Sequence, residues 1–400
     1  MKNIYIFDET CVGSNYGVKT YISQILKSIN MDAKIYYINF LSKKKFFEFK
    51  TENNITYIDI PCSVFSLNSI CDYNKYFNNS FYLIKPFLSK NTNSYFLFNY
   101  INSTSLVNKI KTANCQAKII LTIHYSINID YNSDNLPQNR YISYKSYYKP
   151  NDFSTKIKLK TESDFYRNMD KIICLSDYTY NNLIKIFNID PSKIIKTKNS
   201  LNEIKPIDKF SKKNNRIKHN IPMNYTILIY VGRLDFMKGL FHAIEAFKLT
   251  IKKHPNSIFI IAGEGDFEKF LPLVISYKRN ILIMGNVEKD ILYELYSLSD
   301  IGIQPSFNEQ CSFSTIEMMM FGLPVIVTDI KGGDELIVHE YTGLRTKYKK
   351  NESNFISQIA ININYLIEDK NKVKQMQKNA RKEFRDYYYN TYQNNKIFNL

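Results

Sequence analysis

The segment GRLDFMKG, residues 232–239, sets Arg233 and Lys238 between an apolar run, YTILIYV, and the start of an amphipathic stretch. Backbone N–H groups at a helix start carry partial positive charge, and two flexible cations beside them can clamp a diphosphate whose leaving charge grows as a bond breaks. An ordinary strand–turn–helix with solvated cations would look the same at this level. A second segment, FNEQCSFSTIEMMMFGLPVIVTD at 307–329, separates Glu309 from Glu317 by eight residues around another helix start. Eight helical residues rise about 12 Å. That length matches the path from a sugar ring across a diphosphate to a ribose, so the two carboxylates are placed to accept hydrogen bonds from hydroxyls at opposite ends of one nucleotide-sugar. The N–H groups of Ser312, Phe313 and Ser314, between them, suit phosphate oxygens. The bland alternative makes Glu309 a helix-dipole partner and Glu317 a solvated helix residue.

Two further positions draw attention. CVGSNYGVKTYI at 11–22 follows an apolar run and opens a helix, which puts Gly13 and Gly17 where a backbone approaches a ligand closely or simply turns. His124 ends the apolar run IILTIH, the place where doubly wound sheets hold ligands, although a core or capping histidine fits the same pattern. The chain has no Asp-x-Asp pair, and its six cysteines include no C-x-x-C, so neither a resident metal nor a cofactor is expected.

The elements that must carry these residues alternate. Runs at 225–232, 257–263, 280–285, 300–306 and 323–329 read as buried parallel strands. The stretches 239–254, 266–277, 289–299 and 314–322 between them have helical three- and four-residue spacing. The first half repeats the theme, with strands at 3–8, 33–40, 55–60, 94–100, 117–124 and 171–176 and a helix around 16–29. Ten of the 12 glycines fall between Gly232 and Gly343 and the other two at Gly13 and Gly17, which suggests two separate glycine-loop halves. The expected class is α/β, with a first domain over 1–203, a polar, basic, proline-bounded linker at 204–222, a second domain over 223–375, and a helical tail at 376–400, with a return of that tail to the first domain left open.

Four hundred residues with 44% apolar content exceed one ordinary core and exclude a disordered chain or a lone binding module. The longest apolar runs are strand-sized, far short of the roughly 20 residues of a spanning helix. MKNIYIFDET lacks a signal-peptide pattern, so a cytoplasmic location is expected, with attachment at the inner membrane face left open. The net charge of +17 favours an anionic partner, and residues 1–200 hold 26 Lys+Arg against 15 Asp+Glu. No nucleic-acid-binding motif accompanies that charge, and nucleic acid is not expected. Lys43, Lys44 and Lys45 with Phe46, Phe47 and Phe49, and YISYKSYYKP at 141–150 with Lys156, Lys158 and Lys160, fit either an anionic membrane surface or a solvated lysine-rich face.

Taken together, GRLDFMKG, GEGDFEKF at 263–270, the Glu-x7-Glu spacing with MFGLPVIVTD, and GGDELI at 332–337 resemble the nucleotide-binding half of family 4, group 1 type, glycosyltransferases. The resemblance covers about 225–345 strongly and the first half loosely. It implies a GT-B fold, two facing Rossmann-like domains with a cleft between them, and retaining, metal-independent transfer of a sugar from a nucleoside diphosphate. It also implies that Arg233 and Lys238 hold the diphosphate, Glu309 the transferred sugar and Glu317 the ribose. Backbone near Gly263, Gly265, Asn286 and Val287 would face the base, the loop of Gly13 and Gly17 the phosphate and sugar, and His124 the sugar. Ser312 stands where many members have glycine, and Asn199-Ser200 where Asn-Gly is usual. The acceptor implied is a glycan or lipid-linked saccharide. EQCSFSTIEMMMFGLPVI also resembles a bacterial subgroup found beside peptide-modification genes, which keeps a peptide acceptor open. A noncatalytic nucleotide-sugar-binding or membrane-docking protein and a same-fold epimerase are the alternatives.

Overall fold

The computed structural model describes residues 2–9, 16–29, 33–61, 70–89, 94–100, 103–124, 161–202, 211–330 and 332–389. Gly13 and the aromatic-basic stretch 141–160 lie outside the described residues. The chain divides into two compact units, one ending at Lys198 and the other running on from Asn199.

The first unit is built on β1 (Lys2–Glu9), β2 (Ala33–Ser42), β3 (Glu48–Glu52), β4 (Ile55–Pro61), β5 (Ser94–Phe98), β6 (Lys118–Ile123), β7 (Lys171–Cys174) and β8 (Ile194–Lys196). Helices α1 (Tyr16–Ser28), α2 (Ile70–Ile84), α3 (Thr104–Ala113) and α4 (Asp177–Lys185) connect them. The sheet order is β3-β4-β2-β1-β5-β6-β7-β8. Every pair is parallel except β3–β4. Strands covered on both faces need near-continuous apolar sequence, which is why these runs are conspicuous. Register is fixed by aromatic stacking: Tyr5 pairs with Tyr36 on one side and Phe96 on the other, with ring centroids 4.7 and 4.4 Å apart. A one-residue slip would turn these rings to the opposite face. The edge strand β3 is exposed along its whole length and has no apolar alternation, so the sequence does not announce it.

The second unit contains α5 (Lys212–Lys218), β9 (Thr226–Val231), α6 (Leu240–Lys253), β10 (Ser257–Ala262), β11 (Ile281–Gly285), α7 (Lys289–Leu298), β12 (Ile301–Gln304), α8 (Phe313–Met320), β13 (Val325–Thr328), β14 (Gly343–Thr346), α9 (Glu352–Glu368) and α10 (Lys370–Glu383). Its sheet is wholly parallel, in the order β11-β10-β9-β12-β13-β14. This is the doubly wound dinucleotide-fold order, with the winding direction reversing between β9 and β12.

Three expectations need correction. The stretch 266–277 is not one helix. It breaks into a 3-10 turn (Phe267–Phe270), one α turn (Leu271–Val274) and another 3-10 turn (Ile275–Tyr277), because Pro272 has no N–H to continue the ladder. The division at 375/376 would cut α10, which is continuous and packs on α8 together with the π turn Phe384–Tyr388. Tyr388 O accepts a hydrogen bond from Leu201 N (2.9 Å), so the described part of the tail is tied to the opening of its own unit. Finally, the polar stretch expected as a linker is structural from residue 211 onward. Arg216 is 2% exposed: it pairs with Asp300 Oδ2 (2.6 Å) and donates to Leu298 O (3.0 Å), Met223 O (3.2 Å) and Tyr225 O (2.9 Å). Asp300 Oδ2 also accepts from Ile227 N (2.7 Å), linking α5 to β9.

Asp300→Ala would strand the Arg216 guanidinium inside the unit. The expected loss is roughly 3–5 kcal/mol, the range for breaking a buried ion pair, read as a lower urea midpoint. A loss under about 0.5 kcal/mol, typical of surface changes, would return 211–222 to the status of a linker.

Candidate functional site

Loops that leave adjacent strands β9 and β12 meet at the carboxyl edge where the winding reverses. After β9, Asp235 organises the turn: its Oδ1 accepts from Lys238 N (2.8 Å) and its Oδ2 pairs with Arg233 (3.2 Å). Tyr230 donates its hydroxyl to Arg233 O (2.6 Å), and burial pushes that phenol well above its ordinary range, which keeps it a donor. Gly239 begins α6 at φ +75°, and a Cβ there would stand 2.0 Å from Pro305 O, so only glycine lets the two loops close on each other. Phe307 N donates to Met237 O (2.8 Å), joining them directly. The side chains then converge: Lys238 Nζ lies 2.7 Å from Glu309 Oε1, both largely buried.

The remaining donor-side positions sit around this pair. Gly263 ends β10 at φ +148°, where a Cβ would lie 1.8 Å from Gly232 O, and Gly265 follows at φ +153° beside Leu234. Asn286 and Val287 form the turn between β11 and α7. A Cβ on Gly333 would sit 3.4 Å from Glu309 Cβ, so the GGDELI loop borders the carboxylate. Ser312 caps α8 by accepting from Thr315 N (3.3 Å), and its hydroxyl is 3.0 Å from that of Ser314. Phe313 and Ser314 are the first residues of α8 and half-buried.

Glu317 is no solvated helix residue. Its side chain is 3% exposed, with Oε1 bonded to Lys289 and Oε2 accepting from Tyr296 (3.1 Å). Sequence reasoning missed both partners. Lys289 is one among 54 basic residues, and Tyr296 carries the same i, i+3 signature as any core-facing position.

In the first unit, His124 follows β6 at the same edge of its sheet. Its Nε2 is 3.2 Å from Asn99 Oδ1, while Asn99 Nδ2 donates to Phe7 O (3.0 Å). Because Nδ2 must be the atom facing that carbonyl, Oδ1 is the acceptor and His124 carries its proton on Nε2. Burial lowers the ring's pKa to about 3, so the imidazole is neutral. Tyr21 meets it edge-on at 4.7 Å. The same edge holds Asp8 and Glu9, both buried, with the Tyr37 hydroxyl donating to Asp8 and Glu9 N donating to Asp8 Oδ1 (2.8 Å).

Two expectations fare differently. Gly17 lies in the first turn of α1, and a Cβ there would meet no protein atom within 4 Å, which leaves the space beside its backbone open. Of the basic-aromatic segments, 43–49 is placed. Phe46 and Phe49 are exposed, Phe47 packs against the core, and Lys44 is already paired with Glu48 (3.2 Å). Among the described residues no helix is long and apolar enough to cross a membrane.

Residues 211–383 match the family of glycosyl transferases group 1. Among curated relatives, the uncharacterized glycosyltransferase MJ1607 of Methanocaldococcus jannaschii is 32% identical over 128 residues, 31% of this chain and 32% of that protein. The putative glycosyltransferase YtcC of Bacillus subtilis is 25% identical over 232 residues, covering 54% and 56%. The UDP-Gal:alpha-D-GlcNAc-diphosphoundecaprenol alpha-1,3-galactosyltransferase of Escherichia coli is 28% identical over 184 residues, covering 43% and 46%. The chain thus spans between about a third and just over half of the length of these relatives. Solved structures match nearly end to end. Sucrose-phosphate synthase from Thermosynechococcus elongatus has a TM-score of 0.76 at 17% identity, covering 97% and 95% of the two chains. Anabaena Alr3699/HepE in complex with UDP and glucose has a TM-score of 0.72 at 14% identity, covering 99% and 98%. The stretch that matches the glycosyl transferases group 1 model, residues 211–383, contains the Lys238–Glu309 pair, the buried Glu317 and the glycine loops of the second unit, and the chain as a whole has the two-sheet GT-B fold of these solved structures.

Proposed function

We propose that this chain transfers a sugar from a nucleoside diphosphate sugar to an acceptor, with retention of configuration at the transferred carbon. The observation that carries the reading is the convergence of Lys238 and Glu309 at the strand-order reversal, with Glu317 buried in the helix that starts four residues after Glu309. Lys238 pairs with Glu309 and Arg233 with Asp235, which places both cations near the edge where the sugar donor's diphosphate would add its charge.

The proposed chemistry needs little from the protein beyond charge and position. The bond between the sugar carbon and the diphosphate oxygen breaks as Arg233 and Lys238 stabilise the departing charge. The acceptor oxygen bonds to that carbon from the same face, and its proton passes to the departing phosphate oxygen. Glu309 accepts hydrogen bonds from the sugar's hydroxyls, and Glu317 from the ribose. With no Asp-x-Asp in the sequence and two cations beside the turn, the reading is metal-independent. UDP and UDP-glucose, which Alr3699/HepE holds in its structures, are the first ligands to try. A glycan, a lipid-linked saccharide and a peptide remain the acceptor classes, the second because a relative acts on a diphosphoundecaprenol-linked sugar. His124 is neutral and acts as a hydrogen-bonding group, not as a proton donor.

Calorimetry with UDP separates the two carboxylates. Glu317→Gln is expected to weaken binding by about 1–3 kcal/mol, the loss of a charge-assisted hydrogen bond. Glu309→Ala is expected to bind UDP at least as well as the parent, since it frees Lys238, yet to transfer sugar poorly. Equal losses, or the larger loss at Glu309, would reverse or displace the sugar donor. Transfer or hydrolysis of the donor should survive a chelator; an activity abolished by chelation and restored by manganese would refute metal independence. For His124, a folded-state pKa below that of the unfolded chain means that the unfolded state takes up the proton first, so stability declines as pH falls below about 6.5. The His124 ring resonances are expected to stay unchanged from pH 8 to 5, and a midpoint near 6.5 would contradict the assignment.

A further inference from the structure

Glu317 is a buried carboxylate whose two oxygens are both engaged by protein side chains. Lys289, the first residue of α7, bonds Oε1, and the Tyr296 hydroxyl, two turns further along the same helix, donates to Oε2 at 3.1 Å. Each carboxylate oxygen accepts two hydrogen bonds, so these contacts occupy one site on each and leave the other free. Burial and the charge of Glu317 hold the Tyr296 phenol well above its ordinary range, so it remains a donor. Lys289 itself is 47% exposed, and its ammonium also stands 5.5 Å from the centre of the Tyr293 ring, a cation–π contact that fixes the side chain on the Glu317 side of α7.

Lys289 opposes the helix dipole, with Glu288 at the N-cap and Asp290 in the first turn on either side of it. A cation in the first turn of a helix opposes the positive end of the helix dipole. Such a violation of a local rule is expected where another requirement outweighs it, and among the described residues the Lys289 head group meets Glu317 and the Tyr293 ring. Removing the ammonium would leave a carboxylate with 3% exposure supported by a single phenol, free to rotate away from the diol-accepting orientation.

We propose that Lys289 is a positioning residue for nucleotide recognition, holding the Glu317 carboxylate, with Tyr296, in the orientation that receives the ribose hydroxyls. This rests on the reading above that Glu317 faces the ribose. Lys289 acts through the carboxylate and does not itself touch the nucleotide. It lies two residues beyond Val287, at the start of α7.

The test is a binding cycle between residue and ligand, by calorimetry of the full chain with UDP and with 2′,3′-dideoxy-UDP. Lys289→Met is expected to weaken UDP by about tenfold, the size of one charge-assisted hydrogen bond, and to leave 2′,3′-dideoxy-UDP within about twofold of the parent. Lys289→Arg restores most of the UDP affinity. In a Glu317→Gln background, Lys289→Met adds no further loss, which keeps the cycle informative if the single variant folds poorly. Equal weakening of both ligands, which a phosphate contact or a general structural defect would produce, overturns the proposal, as does an unchanged UDP affinity in Lys289→Met. A Glu317→Gln variant that binds UDP as tightly as the parent, or a parent that does not bind UDP, counts instead against the underlying reading of the site.

Discussion

In the second unit everything depends on how two loops close over the point where a parallel sheet reverses its winding. Elsewhere along the carboxyl edge, each crossover returns over its neighbour. Between β9 and β12 the crossovers leave in opposite directions, and the loops can approach only if their backbones tolerate contact. Gly239 permits that approach against Pro305, and the Phe307 N to Met237 O bond fastens it. Once closed, the loops set Lys238 on Glu309 without further adjustment. An ion pair of this kind gains little by itself, because both groups give up hydration. Its consequence is order: two flexible side chains are immobilised at this edge, and on the proposed reading the cost of ordering them is met in folding and not in binding.

The first unit solves a related problem with different residues. Its winding reverses between β1 and β5, and Asn99, following β5, bridges Phe7 on β1 to His124 beyond β6. The asparagine orients the imidazole as Asp235 orients the Arg233–Lys238 turn, and it also fixes which ring nitrogen carries the proton. Aromatic stacking of Tyr5 with Tyr36 and Phe96 holds the strand register on which that geometry rests. The high aromatic content of the chain is thus partly spent on aligning strands.

Much of this was legible in the sequence, for identifiable reasons. Strands buried on both faces must be apolar throughout, so β1, β9 and β10 stand out, and glycines are scarce enough that Gly239, Gly263 and Gly265 mark the loops that need them. Arg233, Lys238, Glu309 and Glu317 were visible as types at a spacing. Burial was not. A polar, basic stretch reads as linker unless one knows that Asp300 waits for Arg216, and Glu317 looks like any surface glutamate until Lys289 and Tyr296 are brought against it from another helix. The strand β3 failed for the opposite reason, since an exposed edge strand needs no apolar pattern.

The central claim is that the diphosphate of a nucleotide-sugar lies at the β9–β12 edge, between the Arg233–Lys238 turn and the start of α8. A crystal structure of the chain soaked with UDP tests it most directly. The account predicts diphosphate density within hydrogen-bonding distance of Arg233 and Lys238, with the ribose hydroxyls on Glu317. Density with the ribose beside Glu309, or a diphosphate bound away from this edge, would contradict it.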